Sequence, residues 1–255
     1  MRLLEIAPDG SSLSFTNDLL DKIPPYVILS HTWGNDEDEV TYDDIITGNA
    51  ENKAYGYAKI RFCMKQACLD GIRHMWVDTC CINKSSFTEL SQAINSMFRW
   101  YKESARCYVY LPDVSINQVP DEIWKSNFLQ NRWATRGWTL QELLAPSSVE
   151  FFSSEGQRIG NKQTLEALLH DMTAISIDAL RGTPLCEFTD LERMSWMEKR
   201  QTKHPEDKAY ALLGMFDVQM PLIYGEGSRN AFARLRETIK LHSGRRNHVA
   251  SEFVI

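Results

Sequence analysis

Tyr26-Val27-Ile28-Leu29-Ser30-His31-Thr32-Trp33-Gly34 decides the reading of this chain. Four apolar residues follow Pro24-Pro25 and end in a polar turn, which is the pattern of a short strand buried on both faces. The acidic stretch from Asn35 to Glu39 reads as a solvated loop, and Tyr42 to Ile46 as a further short element. Downstream, residues 53–70 place Ile60, Met64, Ala67 and Cys68 at helical spacing, and Gly71 supplies a stop. His74-Met75-Trp76-Val77-Asp78 reads as a second strand. Leu90, Ile94, Met97, Phe98 and Tyr101 mark a helix over 88–103, and Cys107-Tyr108-Val109-Tyr110-Leu111 is a third strand. Strands alternating with crossovers of this length imply parallel pairing and helices on both faces, so the expected class is α/β.

Further along, Thr139 reads as the N-cap of a short helix that Pro146 ends, and Ser148 to Phe152 as another strand. The remainder reads as helical, over 162–171, 206–216 and 228–241. The expected division is therefore an α/β core over residues 1–160 and a helical C-terminal extension over 161–255, packed as one domain overall.

Composition bounds the function. The 255 residues are 43% hydrophobic and 24% charged with seven tryptophans, a globular rather than a disordered make-up. A formal charge of −6 gives no electrostatic reason to expect nucleic acid or an anionic membrane as partner, and basic runs such as Arg245-Arg246 are short. Without an apolar span or a signal-peptide pattern the expected compartment is the cytoplasm. The six cysteines contain no Cys-x-x-Cys, so they read as buried free thiols rather than disulfides or a metal site. No Gly-x-Gly-x-x-Gly or Walker loop is present, which disfavours a Rossmann dehydrogenase or an NTPase.

Three blocks together resemble the heterokaryon-incompatibility (HET) domain of fungal cell-death proteins: residues 26–34, His74-Met75-Trp76-Val77-Asp78-Thr79-Cys80-Cys81-Ile82-Asn83, and Arg136-Gly137-Trp138-Thr139-Leu140-Gln141-Glu142-Leu143-Leu144-Ala145-Pro146. A further similar stretch runs from Pro205 to Gly227. The resemblance implies a death effector in incompatibility. It also implies self-association on activation and a regulatory partner with nucleotide-binding and repeat domains, as in the family's larger members. The order of elements also resembles the Toll/interleukin-receptor (TIR) domain, a flavodoxin-like fold. There a Trp four residues before a Glu, here Trp138 and Glu142, marks the catalytic glutamate of NAD⁺-cleaving members. That likeness implies a NAD⁺ glycohydrolase with NAD⁺ as substrate, no resident cofactor and no metal.

Cleavage of the nicotinamide–ribose bond needs little more than one placed carboxylate, because nicotinamide leaves neutral and the ribose gains oxocarbenium character. Glu142 is the candidate, with Trp138 shaping the pocket. The alternative is a capping box, in which Glu142 reaches back to the Thr139 N–H. Ser30, His31 and Asp78 follow or end strands and are expected to converge with Glu142 at the sheet's carboxyl edge. There they could bind ribose or phosphate, or merely satisfy backbone groups. Gly34 would let the backbone approach a ligand. Arg136 could bind a phosphate or simply be solvated. Trp33 and Trp76 read as core, the Arg200, Glu206 and Asp207 group as a structural pin, and Glu226 as favourable near the last helix's N-terminus. A non-enzymatic adaptor acting by homotypic assembly is the competing function.

Overall fold

The structure, a computed structural model, describes residues 1–252, with side chains described as far as Ser243. In chain order the strands and helices are β1 (Leu4–Ile6), β2 (Leu13–Phe15), β3 (Val27–His31), α1 (Tyr42–Ile46), α2 (Ala54–Leu69), β4 (His74–Trp76), α3 (Phe87–Glu103), β5 (Arg106–Tyr110), α4 (Asp121–Leu129), α5 (Thr139–Leu144), β6 (Val149–Phe152) and β7 (Arg158–Asn161). They continue as α6 (Glu166–Thr173), α7 (Ile177–Leu180), α8 (Asp190–Ser195), α9 (Asp207–Tyr210) and α10 (Gly227–Glu252), with short 3-10 turns between several of them. Among the described residues no helix is long and apolar enough to cross a membrane.

The seven strands form one α/β sheet in the order β2-β1-β4-β3-β5-β6-β7. Its centre, β4-β3-β5-β6, is parallel, whereas β1, β2 and β7 are antiparallel additions at the edges, so the sheet is mixed around a parallel core. All five residues of β3 and all four of β6 are buried, as expected for strands covered on both faces. Counting parallel strands alone, the order is second, first, third, fourth. That is the doubly wound arrangement in which the first and third strands lie side by side and their diverging crossovers leave a crevice at the carboxyl ends.

The outer strands β1, β2 and β7 do not stand out in the sequence, because Leu4-Glu5-Ile6, Leu13-Ser14-Phe15 and Arg158-Ile159-Gly160-Asn161 are short and are not continuous apolar runs. β1 and β2 are held by pairing across the hairpin and onto β4, with Leu4 opposite both Phe15 and Met75. Helix α4, in a stretch that reads as a polar connection, forms because Phe128 packs on Phe151, with ring centroids 5.6 Å apart. The expected helix over 206–216 is broken into α9 and a 3-10 turn at Leu213–Met215, where Gly214 lies against Phe98. In α2 the buried positions are Gly56, Lys59, Ile60, Cys63, Met64 and Ala67. Cys68 is exposed, as is Cys186, so these two depart from the buried-thiol expectation, while Cys63, Cys80, Cys81 and Cys107 meet it.

Beyond Asn161 the described secondary structure is helical, and it returns to the core through the backbone. Gln201 accepts from the Gly137 N–H at 2.8 Å and donates to the Thr135 carbonyl at 2.6 Å. Gly137 suits this close approach, since a Cβ would stand 2.5 Å from Thr202 Cγ2 and the Thr202 side chain would have to shift. Before α10, Glu206 rather than Glu226 caps the turn. Its Oε1 accepts from the N–H groups of Gly225 and Gly227, both at positive φ, and its own backbone N–H together with these bonds holds its carboxyl below the ordinary value. Glu226 pairs with Arg234 and accepts from Tyr210.

Candidate active site

Ser30 and His31 are the last two residues of β3, and Asp78 lies two residues beyond β4, at the same carboxyl edge of the parallel core. Into this edge projects Glu142 from α5. Its Oε2 accepts from Ser30 Oγ at 2.5 Å, and Ser30 Oγ itself accepts from the Trp133 indole N–H at 2.7 Å. The Tyr101 hydroxyl, from α3, donates to the Leu29 carbonyl at 3.4 Å and lies close enough to the carboxyl to affect its pKa. Three stretches far apart in sequence, around Ser30, Tyr101 and Trp133 to Glu142, therefore meet at one carboxyl group, on a residue only 4% exposed.

No capping box forms. Trp138 rather than Thr139 precedes α5, in helical conformation and without a side-chain cap. The Thr139 hydroxyl lies 2.9 Å from the Trp133 carbonyl and 2.8 Å from that of Arg136, so it turns back toward the preceding turn. Freed from its own helix, the Glu142 carboxyl takes its character from the surroundings. Burial and then the charge of Asp78 push its pKa up to about 8, against the opposing pull of Ser30, Arg136 and Tyr101.

His31 belongs to a second chain of contacts beside the first. Its Nε2 lies 3.2 Å from Asp78 Oδ1, and its Nδ1 lies 3.3 Å from the Lys59 ammonium. An ammonium can only donate, so Nδ1 accepts and the ring proton sits on Nε2, directed at Asp78. Trp33 Nε1 donates to the other oxygen of Asp78 at 2.9 Å. The hydrogen bond from His31, with the charges of Lys84 and Arg136 nearby, outweighs burial and holds Asp78 below the ordinary carboxylate value. Lys59, itself buried, also donates to the Thr32 carbonyl at 3.1 Å and pairs with Glu39, whose Oε1 accepts from the Gly34 N–H at 2.6 Å. Burial lowers the Lys59 pKa, and Glu39 opposes that shift. The network ties the turn after β3 to α2.

Above these groups a cleft of about 320 Å³ opens, walled by Thr32-Trp33-Gly34, by Arg132, Thr135, Arg136 and Trp138, and by Gln201-Thr202-Lys203. The expected residues thus separate into two layers. Gly34, Arg136 and Trp138 line the cleft, whereas Ser30, His31, Asp78 and Glu142 are not part of its wall. Trp33 is a wall residue rather than core, with the Lys84 ammonium 3.9 Å and the Arg136 guanidinium 5.5 Å from its ring. Gly34 does face the cleft, but its missing side chain also makes room for Tyr55, whose ring a Cβ would approach to 2.7 Å. Trp76 is buried in the core against Trp100 and Tyr101.

Arg200 does not pin Glu206 or Asp207. It is buried under the cleft, where Nη1 donates to Thr139 Oγ1 at 2.8 Å and to the Arg136 carbonyl at 2.9 Å. Burial lowers its pKa to about 10, and the carboxyl of Glu142 opposes the shift. Asp207 instead accepts from Tyr224 at 3.0 Å and from the Trp138 indole at 3.4 Å, and burial raises its pKa. Trp133, Tyr101, Lys59 and Arg200 are the site residues that sequence reading misses. The one available signal was Lys59, a charged residue three positions after Gly56 and four before Cys63 on the buried face of α2. Among the described residues no group of three His, Cys, Asp or Glu is placed to hold a metal ion.

Residues 26–121 match the family described as heterokaryon incompatibility protein (HET). The chain is 56% identical over 248 residues to the vegetative incompatibility protein HET-E-1 of Podospora anserina, an alignment covering 96% of this chain and 18% of that relative. The chain therefore spans less than a fifth of the relative's length. No solved structure matches.

Proposed function

The chain is a HET-domain protein, and from that premise we propose that it serves vegetative incompatibility as a cell-death effector that hydrolyses NAD⁺ at the nicotinamide–ribose bond, with Glu142 as the catalytic carboxylate. The observation that carries this reading is the Ser30–Glu142 bond: the carboxyl is turned away from its own helix to the carboxyl end of the central strand. Such a crevice between the first and third strands is where doubly wound sheets bind ligands.

The chemistry follows from the surroundings of that carboxyl. With a pKa of about 8, Glu142 is largely neutral near pH 7 while the site is empty. The pyridinium of NAD⁺ brings a positive charge, which favours the ionised carboxyl and lowers its pKa on binding. The carboxylate then faces the ribose as the C1′–N bond breaks. Nicotinamide leaves with the bonding electrons as a neutral molecule, and the oxocarbenium is stabilised by the negative charge beside it. Water adds at C1′ and releases its proton, giving ADP-ribose. Ser30 holds the carboxyl in place, and His31 with Asp78 presents a second polar group to the ribose.

The test is nicotinamide release from NAD⁺ by the purified chain. Glu142→Gln keeps the shape and an acceptor for Ser30 but cannot ionise, and is expected to lower the rate by at least about 100-fold. A rate within a few-fold of the parent would remove Glu142 from the mechanism. A second reading, a death adaptor working by homotypic assembly, is favoured by the 4% exposure of Glu142 and its absence from the cleft wall. Under that reading Glu142→Gln leaves killing in cells intact, while surface substitutions far from it abolish killing.

A further inference from the structure

The cleft differs in charge from the molecule that carries it. The whole chain has a formal charge of −6, yet the cleft wall holds Arg132, Arg136 and Lys203 against a single carboxylate, Asp36. Neither Arg132 nor Arg136 forms an ion pair among the described residues, and the one acid is already engaged with Lys203. That surface pair is weak in kind, since both side chains are more than half exposed. At the inner edge of the same wall the hydroxyl of Thr32, a residue 2% exposed, has no hydrogen-bond partner among the described residues. Two half-buried indoles, Trp33 and Trp138, complete the wall.

We propose that this cleft is a diphosphate-recognition site in which Arg136, Arg132 and Lys203 bind the phosphates and Asp36 occupies Lys203 until an anion displaces it. The proposal rests on the dinucleotide reading above, and it assigns the phosphate half of the substrate to the cleft, leaving the ribose half for the buried Glu142. Guanidinium forks suit phosphate oxygens, and cations gathered in a concave wall attract anions that the rest of the surface repels. Two of the three cations lie on the segment leading into α5, and the third follows Gln201, whose backbone is bonded to that segment. Phosphate binding would therefore act on both of the segments that flank Glu142.

Calorimetric titration of the full chain with inorganic pyrophosphate, ADP-ribose and nicotinamide riboside tests this, with Trp33 and Trp138 fluorescence as an independent readout. Pyrophosphate and ADP-ribose are expected to compete for one site, and nicotinamide riboside, which lacks the diphosphate, to bind at least 10-fold more weakly. Arg136→Gln and Lys203→Gln should each weaken pyrophosphate about 10-fold. Asp36→Asn should tighten it two- to five-fold, a gain of sign that loss of structure would not produce. Lys203 and Asp36 are exposed, so those two variants keep the fold even if Arg136→Gln does not. Pyrophosphate that fails to bind, or binds the Lys203→Gln and Asp36→Asn variants as it binds the parent, overturns the site. Nicotinamide release with an unchanged KM in Lys203→Gln would overturn the phosphate site and keep the glycohydrolase. Pyrophosphate binding with the expected variant pattern, in a chain that releases no nicotinamide, would keep the site and overturn the glycohydrolase.

Discussion

A buried carboxyl with one shifted proton equilibrium should leave two opposite marks on the pH dependence of this protein. Glu142 has a folded-state pKa of about 8 against an ordinary value of 4.5. The folded state therefore holds the proton over a range in which the unfolded chain has released it. The stabilisation is complete below pH 4.5 and is lost as pH rises through 8, by up to roughly 5 kcal/mol if no other group compensates. Urea denaturation of the parent should show this decline from about pH 4.5 to about 8, levelling off above that. Glu142→Gln should flatten it and be the more stable protein at pH 9, and equal slopes for the two would show that Glu142 does not titrate there. Activity runs the other way. Since kcat/KM reports the free enzyme, and the reaction needs the ionised carboxylate, kcat/KM for NAD⁺ should rise with pH toward a plateau above 8. A flat profile from pH 6 to 9 would contradict that role. At this scale the sequence revealed which residues carry chemistry but not their state. Glu142 and Ser30 stand 112 positions apart, and nothing local tells that their side chains meet, or that Tyr101 and Trp133 close over them.

Between elements, the site depends on two connections that substitutions can sever separately. The first joins the turn after β3 to α2 through Lys59, which serves His31, Thr32 and Glu39 at once. Lys59→Met leaves Glu39 buried without its cation, and should cost about 3–5 kcal/mol in denaturant unfolding. Adding Glu39→Gln should recover part of that loss, because the orphaned charge is then gone. A Lys59→Met protein as stable as the parent would show the pair to be dispensable. The second connection joins the α5 segment to the C-terminal lobe at Gly137. Gly137→Ala sets a methyl 2.5 Å from Thr202 Cγ2 and 3.3 Å from Met197 Sδ, so the Thr202 side chain must shift and the bridge beside it loosens. Hydrogen exchange at the Gly137 and Gln201 amides should quicken while β3 stays protected, and unchanged exchange at both would place the strain elsewhere. Elements with a period were legible from sequence: β3, α2, β4, α3, β5 and β6 fall within a residue or two of their expected places. Those held by tertiary contact alone, β1, β2, β7 and α4, were not. Nor was the backbone bridge at Gln201, since main-chain hydrogen bonds between distant loops leave no mark on side-chain pattern.

For the molecule as a whole, the layered arrangement sets a condition on activity. The cleft is open to solvent, but the carboxyl proposed to act is buried outside its wall, with Trp133 bonded to the Ser30 that holds it and with Arg200 and Gln201 tying the segment that leads into α5 to the C-terminal helical part. Substrate reaching Glu142 requires these lobes to shift, and a cost of even about 3 kcal/mol would leave under 1% of molecules competent at any moment. Contact between copies that favours the shifted form would restore activity without touching the chemistry. Nicotinamide release per molecule should therefore be low in dilute solution and rise with protein concentration, and fusion to a dimerising or trimerising module should raise it at a fixed dilute concentration. Glu142→Gln should stay inactive in both formats, which separates assembly that opens a site from assembly that is itself the signal. If release is strictly proportional to protein concentration and the fusion gains nothing, the covering of Glu142 is no barrier. The lobes would then open on binding alone, with the diphosphate cleft as the place where that opening starts.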